Sequence, residues 1–243
     1  MATRARPRPT YRAGLTRDRV FRAAVRLADE DGIAALSMRK LAQALGVEAM
    51  SLYHHVADKD EVLAGMVDVV MREINTRVAE IGAPAARAAS DWKPVVRSRI
   101  LTAREVLLAH PWAPGVIESR TTMSPIVLRY YDSLLRLLRE GGLSVSLVHH
   151  AMHALGSRAL GFSQELFAPQ DATDSPTDMA AIMRGQLADE FPYITELVVI
   201  ESSKHDGDST LGWCDDQVEF EFGLDLLLDG LERLHDQQQS AVR

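Results

Sequence analysis

Two sets of residues in this chain have types and spacings suited to chemistry. His149, His150 and His153 place three imidazoles within five positions, and His149 and His153 stand one helical turn apart, as two metal ligands on a helix do. The zincin pattern also needs a glutamate directly after the first histidine, and this chain has His150 there. No metal and no cofactor is therefore expected, and the histidines are read as pocket lining or a polar dimer contact. Cys214 is the only cysteine, which excludes an intrachain disulfide and a cysteine-based zinc site; a bystander thiol is a better reading of it than a redox switch. No G-x-S-x-G elbow, Walker loop or dinucleotide fingerprint occurs, so catalysis has no visible machinery. The second set is Met50, Ser51, Tyr53 and His54, which combine apolar, hydroxyl, aromatic and imidazole groups on the outward or flanking faces of one short segment, with no core to enter.

The elements around that second set explain its position. Met38, Leu41, Ala42 and Leu45 fall at i, i+3, i+4 and i+7, an apolar stripe on a two-turn helix that Ser37 can cap. Gly46 ends it, because a sharp turn after a helix needs a residue tolerant of positive φ. A second short helix over 49–55 follows, with Leu52 and Val56 facing back toward the first. Two short helices around a glycine-containing turn form a helix-turn-helix, whose second helix enters the DNA major groove.

The run RKLAQALGVEAMSLYHHV, followed by Asp58, Lys59, Asp60 and Glu61, resembles the DNA-binding region of the tetracycline-repressor (TetR) family over about 50 residues, from Leu15 to Leu63. A looser similarity to the ligand-binding half of the tetracycline-repressor branch reaches FEFGLDLLLDGLERL near the C-terminus. The resemblance implies that Arg39, Ala49, Met50, Ser51, Tyr53, His54, His55 and Lys59 lie where DNA is met. Arg39 and Lys59 suit phosphates, Tyr53 and His55 can donate to phosphate oxygens, and Met50, Ser51 and His54 suit base edges or thymine methyls. Ala49 has little to offer, and the operator sequence does not carry over. In the tetracycline receptor a histidine near the sixth helix holds drug-bound magnesium. The matching stretch here, VIESRTTM, has only Glu118 and Arg120 as ionisable groups, so tetracycline is not the expected effector.

A net charge of −7 looks wrong for a DNA binder until its distribution is read. Residues 1–28 hold eight Arg and one Asp, +7, which leaves −14 on the other 215 residues. A basic end on an acidic body gives a local footprint for phosphate. No apolar run approaches the roughly 18 to 20 residues that cross a bilayer, and no signal-peptide core follows the N-terminal arginines. A cytoplasmic protein with no membrane partner is expected.

In order along the chain, 1–15 is expected to be a disordered basic arm, 16–62 the helix-turn-helix domain and 63–243 an effector-binding and dimerisation domain. Thr16 caps a first helix with Val20, Phe21, Ala24, Leu27 and Ala28 on its buried face. Helices are then expected from Lys59 to about 81, Trp92 to 108, Val116 to 120, Ser124 to 140, Ser144 to 166, Met179 to 191 and Asp216 to 238, with loops at 82–90, 168–178 and 202–210. The fold class is all-α. The last helix is apolar all round, which calls for cover on both sides, and a partner chain is the simplest second cover. Ala154, Gly161, Phe222, Gly223, Leu227, Gly230 and Leu231 are the expected homodimer contacts. A small, largely apolar effector is expected among Trp92, Trp112, Glu118, Arg120, Met123, Tyr130, His149, His153, Phe162 and Phe167. The reading is a homodimeric regulator, a repressor of double-stranded operator DNA, and no enzyme. Its rivals are a C-terminal half that only dimerises or binds protein, and a helical enzyme with a co-opted DNA-binding head.

Overall fold

The computed structural model describes residues 14–81, 92–161, 188–204 and 216–242, and among these the regular structure is helical throughout. The helices are α1 (Arg17–Asp31), α2 (Met38–Leu45), α3 (Ala49–Leu52), α4 (Lys59–Glu80), α5 (Trp92–Ala109), α6 (Ala113–Glu118), α7 (Pro125–Glu140), α8 (Val145–Gly161), α9 (Pro192–Lys204) and α10 (Asp216–Val242), with a 3-10 turn at Ile33–Ala35. They divide between two units: residues 1–80 with 102–131, and residues 81–101 with 132–243. The first unit takes in more than the expected 16–62, because α1 packs along α4 and α4 packs on α6.

In the first unit α1 starts where Thr16 Oγ1 accepts from the Arg19 N–H, and it buries Val20, Phe21, Ala24, Val25 and Leu27. It packs against α4 at Gly65, where a Cβ would fall onto the Phe21 ring, so only glycine leaves room for that ring. The far end of α1 is tied down by Asp29. Its Oδ1 accepts from the Trp112 indole at 2.6 Å and lies 2.8 Å from His110 Nδ1, fastening the α5–α6 corner to the head.

The second unit has a core from four helices. Trp92, Val96 and Ile100 of α5 meet Leu134 and Leu138 of α7, Leu147, Ala151 and Leu155 of α8, and Phe220, Leu224 and Leu228 of α10. Burying each such side chain is worth roughly 1.5–3 kcal/mol. At the margin of this core a charge ladder sets the register of α5 on α10. Arg97 binds Asp225 at 2.6 Å and Glu221 at 2.7 Å, and Lys93 binds Asp229 at 2.5 Å and Glu232 at 2.6 Å. These carboxylates raise both cations above their ordinary range, with Asp225 the larger influence on Arg97 and Asp229 on Lys93.

The structure differs from the sequence expectation at several elements. The recognition helix is regular only to Leu52, and 53–55 form a turn closed by His55 N–H and Val56 N–H on the Leu52 carbonyl. Residues 192–204, expected to be partly unstructured, are helical. Pro192 can open that helix because its fixed φ suits the first turn and its missing N–H is not needed there. Residues 188–190 form a turn where the end of a helix was expected. The expected helix over 179–187, the loops at 82–90 and 168–178, and Cys214 lie outside the described residues.

Candidate nucleic-acid interface and a partly open cavity

The helix-turn-helix is built from backbone chemistry upward. Ser37 Oγ accepts from the Lys40 N–H and so starts α2, which buries Leu41 and Ala42. Gly46, at φ 67° and ψ 37°, turns the chain in the left-handed region, and Val47 N–H returns to the Ala42 carbonyl. After α3, Asp58 caps α4 and Glu61 reaches back past it: Asp58 Oδ1 accepts from Glu61 N–H at 2.8 Å, and Glu61 Oε2 accepts from Ala57 N–H at 2.6 Å. Arg17 of α1 closes on the same Glu61 carboxylate. The segment carrying α3 is thus fixed at both ends.

Its two faces differ sharply. Leu52 and Val56 are 0% and 2% exposed, while Met50 is 72% and Tyr53 46% exposed. His54 is exposed, and Ala49, Ser51 and His55 are half-buried. Arg39 on α2 and Lys59 at the start of α4 are exposed, and among the described residues neither forms an ion pair. Lys40, by contrast, is paired with Asp31 at 2.9 Å. The expected DNA-facing side chains thus lie on one short segment and its two flanks, with unpaired cations at the flanks where phosphates would lie.

A cavity of about 150 Å³ lies in the same unit. Ala64 and Val67 of α4, Ile117 of α6, Met123 and Val127 of α7 give it an apolar wall. Asp68, Arg120, Thr122 and Ser124 supply the polar groups. Ser124 Oγ donates to Asp68 Oδ1 at 2.5 Å, and Arg120 Nη1 approaches the Asp60 carbonyl at 3.4 Å, in the first turn of α4.

Of the expected pocket residues, Arg120 and Met123 line this cavity. Glu118 is exposed and is not part of its wall. Trp92 is buried in the second unit's core against Gly141, and Trp112 is buried with its indole committed to Asp29. The tryptophans serve as core and as tie, because each is a large apolar ring placed at a helix start that a neighbouring element covers. Tyr130 packs edge-on against Tyr131, whose burial raises its phenol above the ordinary range. His149 and His153 are exposed, their rings 4.7 Å apart, and no group of three or more potential metal ligands occurs among the described residues. Phe162 and Phe167 lie outside the described residues. The sequence reading missed Asp68 and Ser124. Asp68 gave a signal, a carboxylate between Val67 and Val69 on an otherwise apolar stripe, but only the return of residues 117–127 to α4 shows its neighbours.

On α10 two apolar stripes alternate. Phe220, Leu224, Leu228 and Leu231 face the unit's own core, whereas Phe222, Leu226 and Leu234 are 62%, 54% and 49% exposed. Leu231 is therefore a core residue of its own subunit, and Leu227 packs partly against that core. Gly223 is accounted for within the chain, since a Cβ there would meet the Arg158 guanidinium at 2.8 Å. Gly230, itself half-buried, continues that stripe by its spacing, and among the described residues nothing lies within 4 Å of a built Cβ there. Ala154 is half-buried on α8, and Gly161 is the last residue of that helix. Leu226 and Leu234, absent from the expected contacts, were legible from the spacing of four that joins them to Phe222 and Gly230.

Two family models match the chain: "Bacterial regulatory proteins, tetR family" over residues 20–66 and "Tetracyclin repressor-like, C-terminal domain" over residues 84–235. An HTH-type transcriptional regulator of Saccharopolyspora erythraea is 32% identical over 177 residues, which cover 72% of each chain. The HTH-type transcriptional repressor DrrR1 of Streptomyces coeruleorubidus is 31% identical over 94% of this chain and 80% of its own. The crystal structure of the Streptomyces coelicolor TetR family protein ActR in complex with actinorhodin superposes with a TM-score of 0.69 at 28% identity, over 92% of this chain and 99% of that one.

Proposed function

The chain belongs to the TetR family of transcriptional regulators, and from that premise we propose that it is a cytoplasmic repressor that grips a palindromic operator as a homodimer and lets go when a small molecule binds. One observation carries the reading: a short helix anchored by Leu52 and Val56 that presents Met50 and Tyr53 to solvent. Side chains so exposed gain nothing from folding, and their types suit groove edges and phosphates. The relatives support the reading's sign, since one is named a repressor, and its ligand control, since one was solved with actinorhodin. The regulators it resembles are not enzymes, and the co-opted-enzyme reading is set aside.

Phe222, Leu226, Gly230 and Leu234 supply the dimer face in this proposal, because an apolar stripe of about three and a half turns is covered most simply by its own copy. The cavity at Arg120 and Met123 receives the effector. Its wall includes α4, whose first turn directly follows the recognition segment, so a ligand-induced shift of α4 would change how the two recognition helices meet successive major grooves. Selection of bound duplexes from a random pool tests the DNA half of the reading. An inverted repeat with half-sites about one helical turn apart is the expected product; a single unrepeated site, or no enrichment, would overturn it.

A further inference from the structure

The cavity holds two opposite charges that do not pair. Asp68 takes one hydrogen bond, from Ser124, and an ionised carboxylate has about four acceptor sites. Arg120 gives one long hydrogen bond, to the Asp60 carbonyl, out of five donors. Both side chains are half-buried, and among the described residues neither forms an ion pair, with the other or with any third group. Both groups therefore keep hydrogen-bonding sites that a ligand can fill with charge-assisted bonds. Ala64, Val67, Met123 and Val127 share the lining of the same cavity with them.

From the presence of an unpaired carboxylate and an unpaired guanidinium in the lining of one largely apolar cavity, we propose that the effector is two-poled: a small ring-bearing molecule with an ammonium or hydroxyl donor for Asp68 and a carboxylate or carbonyl acceptor for Arg120. The inference rests on the effector reading above and sharpens it, since a purely apolar ligand would leave both charges unmet. A volume of about 150 Å³ suits one ring, being the size at which an engineered apolar cavity takes up benzene. The arrangement also supplies the link to DNA. Asp68 stands on α4, and Arg120 reaches the carbonyl of Asp60 in the same helix's first turn, next to Lys59. A ligand acceptor that draws the guanidinium inward takes that hold away from the start of α4.

Calorimetry of the full chain with five single-ring probes tests the proposal: 4-(aminomethyl)benzoate, 4-hydroxybenzoate, p-toluate, 4-methylbenzylamine and p-xylene. The two-poled probes should bind at least about tenfold more tightly than those with one pole, since a charge-assisted hydrogen bond contributes on that scale. The better of the first two tells ammonium from hydroxyl. Asp68→Asn should bring 4-(aminomethyl)benzoate down to the level of p-toluate, and Arg120→Gln should bring it down to that of 4-methylbenzylamine. The ranking of probes on the parent chain decides the matter even if a variant fails to fold. Equal binding of p-xylene, or no binding by any probe, overturns the proposal. The effector reading has its own arm. A two-poled probe that binds and leaves operator affinity unchanged overturns that reading, whereas operator release by compounds of another class leaves it standing while the two-poled assignment falls.

Discussion

At the scale of single residues, the recognition segment separates folding from binding. Tyr53, nearly half exposed beside fully buried Leu52, should become alanine with little change in thermal stability while operator binding weakens by about 1–3 kcal/mol. Leu52→Ala should do the reverse first, lowering stability by about 2–5 kcal/mol through a core cavity. A Tyr53→Ala protein that melts far below the parent yet holds DNA as well would show that the segment faces the other way. Asp29 makes a different prediction. Its replacement by alanine strands the indole N–H of buried Trp112, at a cost of about 1–3 kcal/mol that a denaturant titration would register. The caps at Thr16 and Ser37, the left-handed Gly46 and the outward set were legible in the sequence, because each follows from local rules over three or four positions. The partners of Trp112 and Asp68 were not. Asp29 lies 83 positions from Trp112 and Ser124 lies 56 from Asp68, and no local pattern joins them.

At the scale of elements, helix existence followed from periodicity, and errors gathered where periodicity fades. Residues 192–204 are helical although an apolar stretch runs straight into Glu201, Ser202 and Ser203, which blurs any stripe. The last helix read as apolar all round because two stripes, one inward and one outward, alternate along it; only packing could tell Phe220 from Phe222. The α5–α10 ladder belongs to this scale too. Arg97 and its carboxylate partners are a third to a half exposed, so Arg97→Met should cost only about 0.5–1 kcal/mol, and the difference should shrink in high salt. Glu221 is held below its ordinary 4.5 by Gln217 and then by Arg97. Its contribution is therefore in place above that pH and lost as pH falls through the lower folded value, so parent and Arg97→Met should converge in melting temperature in acid. A difference that grew on acidification would contradict the ladder.

At the scale of the whole molecule, charge and symmetry carry the account. The eight arginines of residues 1–28 concentrate positive charge at one end of an acidic chain. Deleting residues 2–12 should weaken binding evenly across DNA sequences and flatten its salt dependence, since each lost phosphate contact removes nearly one unit of slope. An unchanged slope would make those residues bystanders. The central claim is that two copies must act together. Among the described residues nothing lies within 4 Å of a Cβ built at Gly230, so Gly230→Leu should disturb a second copy on that face more than its own chain. Sedimentation of parent and variant with and without operator duplex measures this most directly. The account predicts a parent dimer that binds one duplex tightly, and a Gly230→Leu chain that folds normally, dissociates and loses tight binding. A variant that remains as firm a dimer and holds its operator as well as the parent would contradict the dimer face, and a single parent protomer bound tightly to one duplex would contradict the claim itself.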